Sequence, residues 1–167
     1  DLMGYANMTI GRQALEYGSG MIIGRNDWGA TRNTGDVFTF GLNLDMADVT
    51  VGYMNDNDGA ELANGSNMMF VNASGEFAGM SANLLWGSVY ATENGEEGAA
   101  TDHMGLDVSY PMMGGALMLN GTYNTATNDN MSDKDMSSFG ATYNVNDNMS
   151  ISASQTTYGT GGYNITG

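Results

Sequence analysis

From Asp36 onward the chain repeats one pattern, in which apolar residues take every second position. Phe38, Phe40, Leu42 and Leu44 are separated by Thr39, Gly41 and Asn43; Val49, Val51 and Tyr53 by Thr50 and Gly52. Side chains two apart share one face of an extended strand, so each run predicts a strand with one apolar and one polar face. Met69, Val71, Ala73 and Phe77 then oppose Asn72, Ser74 and Glu76, and Ala82, Leu84, Trp86 and Tyr90 oppose Ser81, Asn83 and Gly87. Met104, Leu106, Val108 and Tyr110 alternate with Gly105, Asp107 and Ser109. The series continues through Leu117, Leu119 and Tyr123, through Phe139, Ala141, Tyr143 and Val145, and ends with Met149, Ile151 and Ala153. With an opening strand near Ala6 to Ala14, the pattern predicts about nine strands, and Tyr163 begins a candidate tenth. They run about 8–11 residues against the roughly 5–6 common in globular sheets, which is the length a tilted strand needs to cross a bilayer.

The connections alternate in length. Tight turns are expected near Met46-Ala47, Ala78-Gly79, Met113-Gly114 and Asn146-Asp147, and long polar loops near 15–35, 56–66, 92–102 and 126–135. Strand, short turn, strand and long loop then form a repeating unit of an antiparallel meander, with tight turns at one end and loops at the other. No segment offers a helix to cover such a sheet, because Gly, Asn, Thr and Ser interrupt every apolar run. Closing the sheet into a barrel removes its edges. In a soluble barrel the outward positions carry Lys and Glu, whereas the polar face here carries Asn, Ser, Thr and Gly, and the charges collect in the loops. That distribution fits an outer-membrane barrel with an apolar exterior and a polar lumen. Tyr53, Tyr90 and Tyr123 at loop ends, with Phe77 and Tyr110 beside turns, fit aromatic girdles. The expected class is all-β, an antiparallel up-and-down transmembrane β-barrel, with residues 1–167 forming one barrel domain or a portion of a larger barrel.

Composition narrows the function. The chain has 167 residues, with 19 acidic and 4 basic side chains, a net charge of −15 and no Cys. Four cations cannot build the basic footprint a nucleic-acid partner requires, and disulfides or thiolate metal sites are excluded. No run of about 18 apolar residues provides a membrane-spanning helix. Catalysis finds no constellation: His103 has no second His or Cys to join it, and Ser19 lacks the strand-to-helix setting of a nucleophile elbow. The 15 Met residues invite a copper reading, but Met68-Met69 and Met112-Met113 are adjacent pairs that project to opposite faces of an extended chain. Adaptable apolar filling explains them. The acidic loops supply carboxylates suited to Ca2+, at Asp56, Asp58 and Glu61, at Glu93, Glu96 and Glu97, and at Asp129, Asp133 and Asp135. None has the full spacing of a calcium loop, and solvated surface charge is the simpler reading; no other cofactor is expected.

The segment from Gly11-Arg12-Gln13 through Tyr17-Gly18, Gly24-Arg25, Asp27-Trp28, Thr31-Arg32 and Gly35-Asp36 resembles the alginate-export-like family of outer-membrane porins over about residues 8–40. The resemblance implies a β-barrel in the outer membrane of bacteria and an anionic polysaccharide solute. Two features depart from it. Met21 stands where a basic residue is usual, and Arg12, Arg25, Arg32 and Lys134 are the whole basic complement, where an anion-conducting pore has many.

Arg12 and Gln13 are neighbours on a strand and face opposite ways. A guanidinium facing lipid at mid-depth costs about 2–4 kcal/mol, so Arg12 is expected toward the lumen. Arg25 and Arg32, with Asp27 and Asp36, are expected to pair and pin the first loop inward, with Trp28 as its packing anchor. The function expected is a porin-like channel for passive diffusion of small hydrophilic solutes, embedded in outer-membrane lipid, with a homo-oligomer or partner subunit to complete the barrel. The rivals are a structural or adhesive surface array displaying acidic loops and a secreted β-rich filament subunit.

Overall fold

The computed structural model describes residues 5–25, 27, 33–56, 65–93, 96–129 and 131–159. Its strands are β1 (Ala6–Gln13), β2 (Gly35–Asn43), β3 (Asp48–Asp56), β4 (Gly65–Phe77), β5 (Met80–Glu93), β6 (Glu96–Glu97), β7 (Thr101–Met112), β8 (Leu117–Asn128), β9 (Met131–Asn146) and β10 (Met149–Tyr158). They form one sheet in the order β1-β2-β3-β4-β5-β7-β8-β9-β10, with the two-residue β6 paired to β5 beside this path. Every pairing is antiparallel and, apart from β5 with β7 across the short β6, joins chain neighbours, as an up-and-down meander requires. Among the described residues β1 and β10 do not pair with each other, so the sheet is open.

The tight turns lie where the alternation breaks. Leu44 and Ala47 exchange backbone hydrogen bonds between β2 and β3. Ala78 and Gly79 both have positive φ, 52° and 78°, the twist that suits a two-residue hairpin between β4 and β5. A short 3-10 turn, Met113–Gly115, joins β7 to β8.

One connection differs from expectation. The long loop expected at 126–135 is mostly strand: β8 runs to Asn128 and β9 starts at Met131, with Thr125 opposite Asp135 and Ala126 opposite Lys134. The Asn128 amide donates to the Ala100 carbonyl at 2.9 Å and to Thr101 Oγ1 at 3.0 Å, which ties this strand end to β7. Polar composition misleads there because strands that continue beyond an apolar band pair through the backbone whatever their side chains.

The two faces are inverted relative to a soluble sheet. In β2 the polar-face positions Gly35, Val37, Thr39 and Gly41 are buried, while Phe38 and Leu42 on the opposite face are exposed. Register carries this face across the sheet: Phe38 is opposite Tyr53, Tyr53 opposite Met69, Val71 opposite Trp86, and Trp86 opposite Met104. All of these are exposed. The other face holds Thr39, Asn72, His103 and Asn124, each buried. An apolar outside and a buried polar inside describe a sheet whose solvent is lipid.

Candidate functional site

What buries the polar face is the chain between β1 and β2. Ile23 packs with Met68, Phe70 and Leu85 in one buried cluster, and Leu15, Tyr17, Ile22, Met54 and Val89 pack around it. Met68, Phe70, Leu85 and Val89 all occupy polar-face positions of β4 and β5, so this is a small apolar island on an otherwise polar wall. Burying each such side chain contributes about 1.5–3 kcal/mol, enough to hold a loop without regular structure against the wall. Backbone close approach makes room for it: a Cβ on Gly52 would lie 2.1 Å from Phe70 Cζ, and one on Gly87 would lie 2.1 Å from Met68 Cε.

The loop closes on itself before it reaches the wall. Tyr17 N–H donates to the Ile23 carbonyl at 3.1 Å and Gly20 N–H to the Tyr17 carbonyl at 3.0 Å. The Tyr17 ring meets Phe70 at a centroid distance of 5.3 Å, and its hydroxyl hydrogen-bonds Thr50 on β3. Burial raises the Tyr17 pKa above its ordinary value of 10.0, and the Thr50 bond lowers it by less, so the phenol is protonated at neutral pH. At the loop tip, Ser19 N–H donates to Asp107 Oδ2 at 2.9 Å, and Thr122 Oγ1 donates to Asp107 Oδ1 at 2.7 Å. Asp107 lies halfway along β7, so the loop descends along the polar face to mid-depth and crosses from β3 to β7.

Below the tip lies a cavity of about 620 Å3 lined by Ser19, Asp48, Glu76, Asp107, Asn120 and Thr122 among others. Its charged lining residues are Asp48, Glu76 and Asp107, and among the described residues no basic side chain borders it. Asn72 extends the polar wall, donating to Asn83 Oδ1 at 2.8 Å. Such a surface offers acceptors, hydroxyls and negative charge, and no nucleophile paired with a base.

The residues expected to form the constriction are only partly gathered there. Arg12 is on the face of Ile10 and Phe38, not on the polar face as expected, and it pairs with Asp36, Nε to Oδ1 at 3.1 Å and Nη2 to Oδ2 at 3.3 Å. The cost of a charge facing lipid falls toward the interface, and Arg12 sits one residue from the loop end of β1. Asp36 is therefore unavailable to pin the loop. Arg25 pairs within the loop, with Glu16 at 3.4 Å and Asp27 at 3.5 Å. Trp28 and Arg32 lie outside the described residues, as do Asp58 and Glu61. Asp56, Glu93, Glu96 and Glu97 are placed at strand ends, Asp129 in the turn after β8, and Asp133 and Asp135 in β9. Among the described residues no group of three His, Asp or Glu side chains converges as a metal site. His103 is buried on the polar face opposite Gly87 and Ala126, with no protein partner for Nδ1.

Asp107, Thr122 and the Ile22-Ile23 anchor are absent from the sequence-based constriction. A signal for them exists: Met68, Phe70, Leu85 and Val89 are bulky apolar residues on the polar side of the alternation, which marks where a loop lands.

A family model described as Gram-negative porin matches residues 6–163, which contain every described strand. The chain belongs to the Gram-negative porin family. No curated protein and no solved structure matches it. Membership agrees with the inverted faces and assigns this porin to the bacterial outer membrane as a porin-like channel, while the array and filament readings gain no support. The match supports an outer-membrane porin family at large and not the narrower alginate-export-like group. No helix among the described residues is long and apolar enough to cross a membrane.

Proposed function

We propose that this porin is a non-enzymatic channel through which small hydrophilic solutes diffuse passively, with a preference for cations. The observation that carries the reading is the loop of residues 14–25, held against the polar wall at mid-depth above a cavity whose charged lining is Asp48, Glu76 and Asp107. A lumen of this kind discriminates by width and potential. Negative lining concentrates cations and excludes anions, most strongly where low-dielectric walls focus the field.

The narrower likeness to alginate-export-like porins would favour anionic polysaccharides. Basic residues do not support it: Arg12 is paired with Asp36 on the outer face, and Arg25 is paired with Glu16 and Asp27. Ca2+ at the acidic loops and a homo-oligomer or partner subunit fit the same reading, since loop carboxylates are suitable hard ligands and an open sheet takes further strands.

In a planar bilayer under a potassium chloride gradient, the reversal potential is expected to report cation preference. That preference weakens as salt rises and the Debye length falls below its value of about 8 Å at physiological ionic strength. Anion preference refutes the electrostatic part and restores the polysaccharide class. Absence of conductance refutes the channel.

A further inference from the structure

The loop has two attachments of different kinds. Its apolar attachment, Ile22 and Ile23 on Met68, Phe70 and Leu85, is centred on β4 and β5, with Ile22 also reaching Gly105 on β7. Its polar attachment is a single carboxylate on β7. Ser19 N–H donates to Asp107 Oδ2 at 2.9 Å, and the second carboxylate oxygen is occupied by Thr122 Oγ1 at 2.7 Å, which fixes the direction of the first. Bonds from neutral donors to a carboxylate are roughly twice as strong as neutral pairs.

Gly18 is fitted to the same carboxylate. Its φ of +57° belongs to the left-handed region, and a Cβ there would lie 2.0 Å from Asp107 Oδ2 and 2.8 Å from Asn83 Nδ2. A side chain at 18 must displace either the Asp107 carboxylate or the tip, and either movement breaks the Ser19 bond. Three neighbouring features, a glycine with no room for a side chain, a backbone donor and an oriented acceptor, therefore converge on one point.

We propose that Asp107 is the positioning residue that sets the pore's size limit, by latching the loop tip across the lumen. The proposal rests on the channel reading above and adds to it the group on which width depends. Released from Asp107, the loop stays anchored by Ile23 on β4 and β5 and by Ile22, which also reaches Gly105 on β7, while the Gly18–Gly20 tip loses its one polar hold and is free to lift off the wall above the cavity. Asp107 then has two separable contributions: its oxygen holds the tip, and its charge attracts cations. An amide in its place keeps an acceptor oxygen for Ser19 and loses the charge.

The test uses the full protein in planar bilayers and in liposomes, with sugars of graded size. Asp107→Ala and Gly18→Ala, which break the latch from opposite sides, are each expected to raise single-channel conductance about twofold and to admit sugars that the unsubstituted protein excludes. Asp107→Asn is expected to keep the size limit and lose part of the cation preference. Asp147→Ala, in the turn between β9 and β10 and outside the cavity lining, removes a carboxylate elsewhere and is expected to leave the size limit unchanged. Amide exchange at Ser19 reads the latch without conduction: it is expected to accelerate about tenfold or more in Asp107→Ala and little in Asp107→Asn.

A conducting protein whose Asp107→Ala and Gly18→Ala variants keep both the size limit and the Ser19 exchange rate overturns the latch and leaves the channel standing. A silent unsubstituted protein overturns the channel reading instead. An Asp107→Ala variant that fails to fold does not rescue the proposal, because an unchanged size limit in Gly18→Ala overturns it alone.

Discussion

Phe70 shows how one side chain on the wrong side of an alternation organises its surroundings. It is 1% exposed, although it shares the polar face with Asn72, because Tyr17 and Ile23 cover it and Gly52 lets it lie flat. Replacing it with Ala removes the centre of the island and leaves a cavity that the strands cannot collapse. Phe70→Ala is expected to cost about 3–5 kcal/mol in equilibrium urea unfolding from liposomes. A loss below about 1 kcal/mol would mean the loop does not depend on this cluster. Arg12 teaches the opposite lesson about rules of orientation. The expectation that a guanidinium avoids the outer face holds at mid-depth and lapses at the strand end, where Asp36 meets it and headgroups replace hydrocarbon. With both side chains 59% exposed, that pair contributes little to stability.

At the level of strands and loops, the alternation was legible because the two faces differ in kind at nearly every position. It located the tight turns between β2 and β3, β4 and β5, β7 and β8, and β9 and β10, since a turn must interrupt a period-2 pattern. It missed the β8–β9 end, where Ala126, Thr127 and Asn128 look like loop and pair as strand, Thr127 with β7 and the other two with β9. It also missed the latch, because Asp107 alternates with Leu106 and Val108 as any lumenal residue does, and nothing local distinguishes an acceptor reached from 88 residues away. The strand ends nevertheless sort into two sets, with the longer connections all on one side, and outer-membrane barrels keep long connections outside the cell. An epitope tag after Asp129 is therefore expected to bind antibody on intact cells, and one at Gly114, in the Met113–Gly115 turn, only after the outer membrane is opened. Labelling of Gly114 alone on intact cells would invert the orientation.

For the molecule as a whole, the unresolved matter is closure. In a bilayer an unpaired strand edge leaves backbone groups without partners, at several kcal/mol each, so β1 and β10 do not remain open edges once inserted. The path through the sheet has an odd number of strands, nine, and each neighbour runs antiparallel to the last, so β1 and β10 point the same way. Joining them directly would make one parallel pair in an otherwise antiparallel barrel. Bacterial single-chain barrels have even strand numbers. The expected solution is closure through at least one strand outside the described residues, from this chain or from a second copy. The absence of Cys makes the test clean. Thr9 lies opposite Thr39 in the β1–β2 register, and cysteines at these two positions are expected to cross-link on mild oxidation in membranes. Thr9→Cys combined in turn with Ser150→Cys, Ser152→Cys or Ser154→Cys, all on the polar face of β10, is expected to give no intramolecular cross-link. A cross-link in any of those three combinations would place β1 against β10 and establish a barrel closed by a parallel pair.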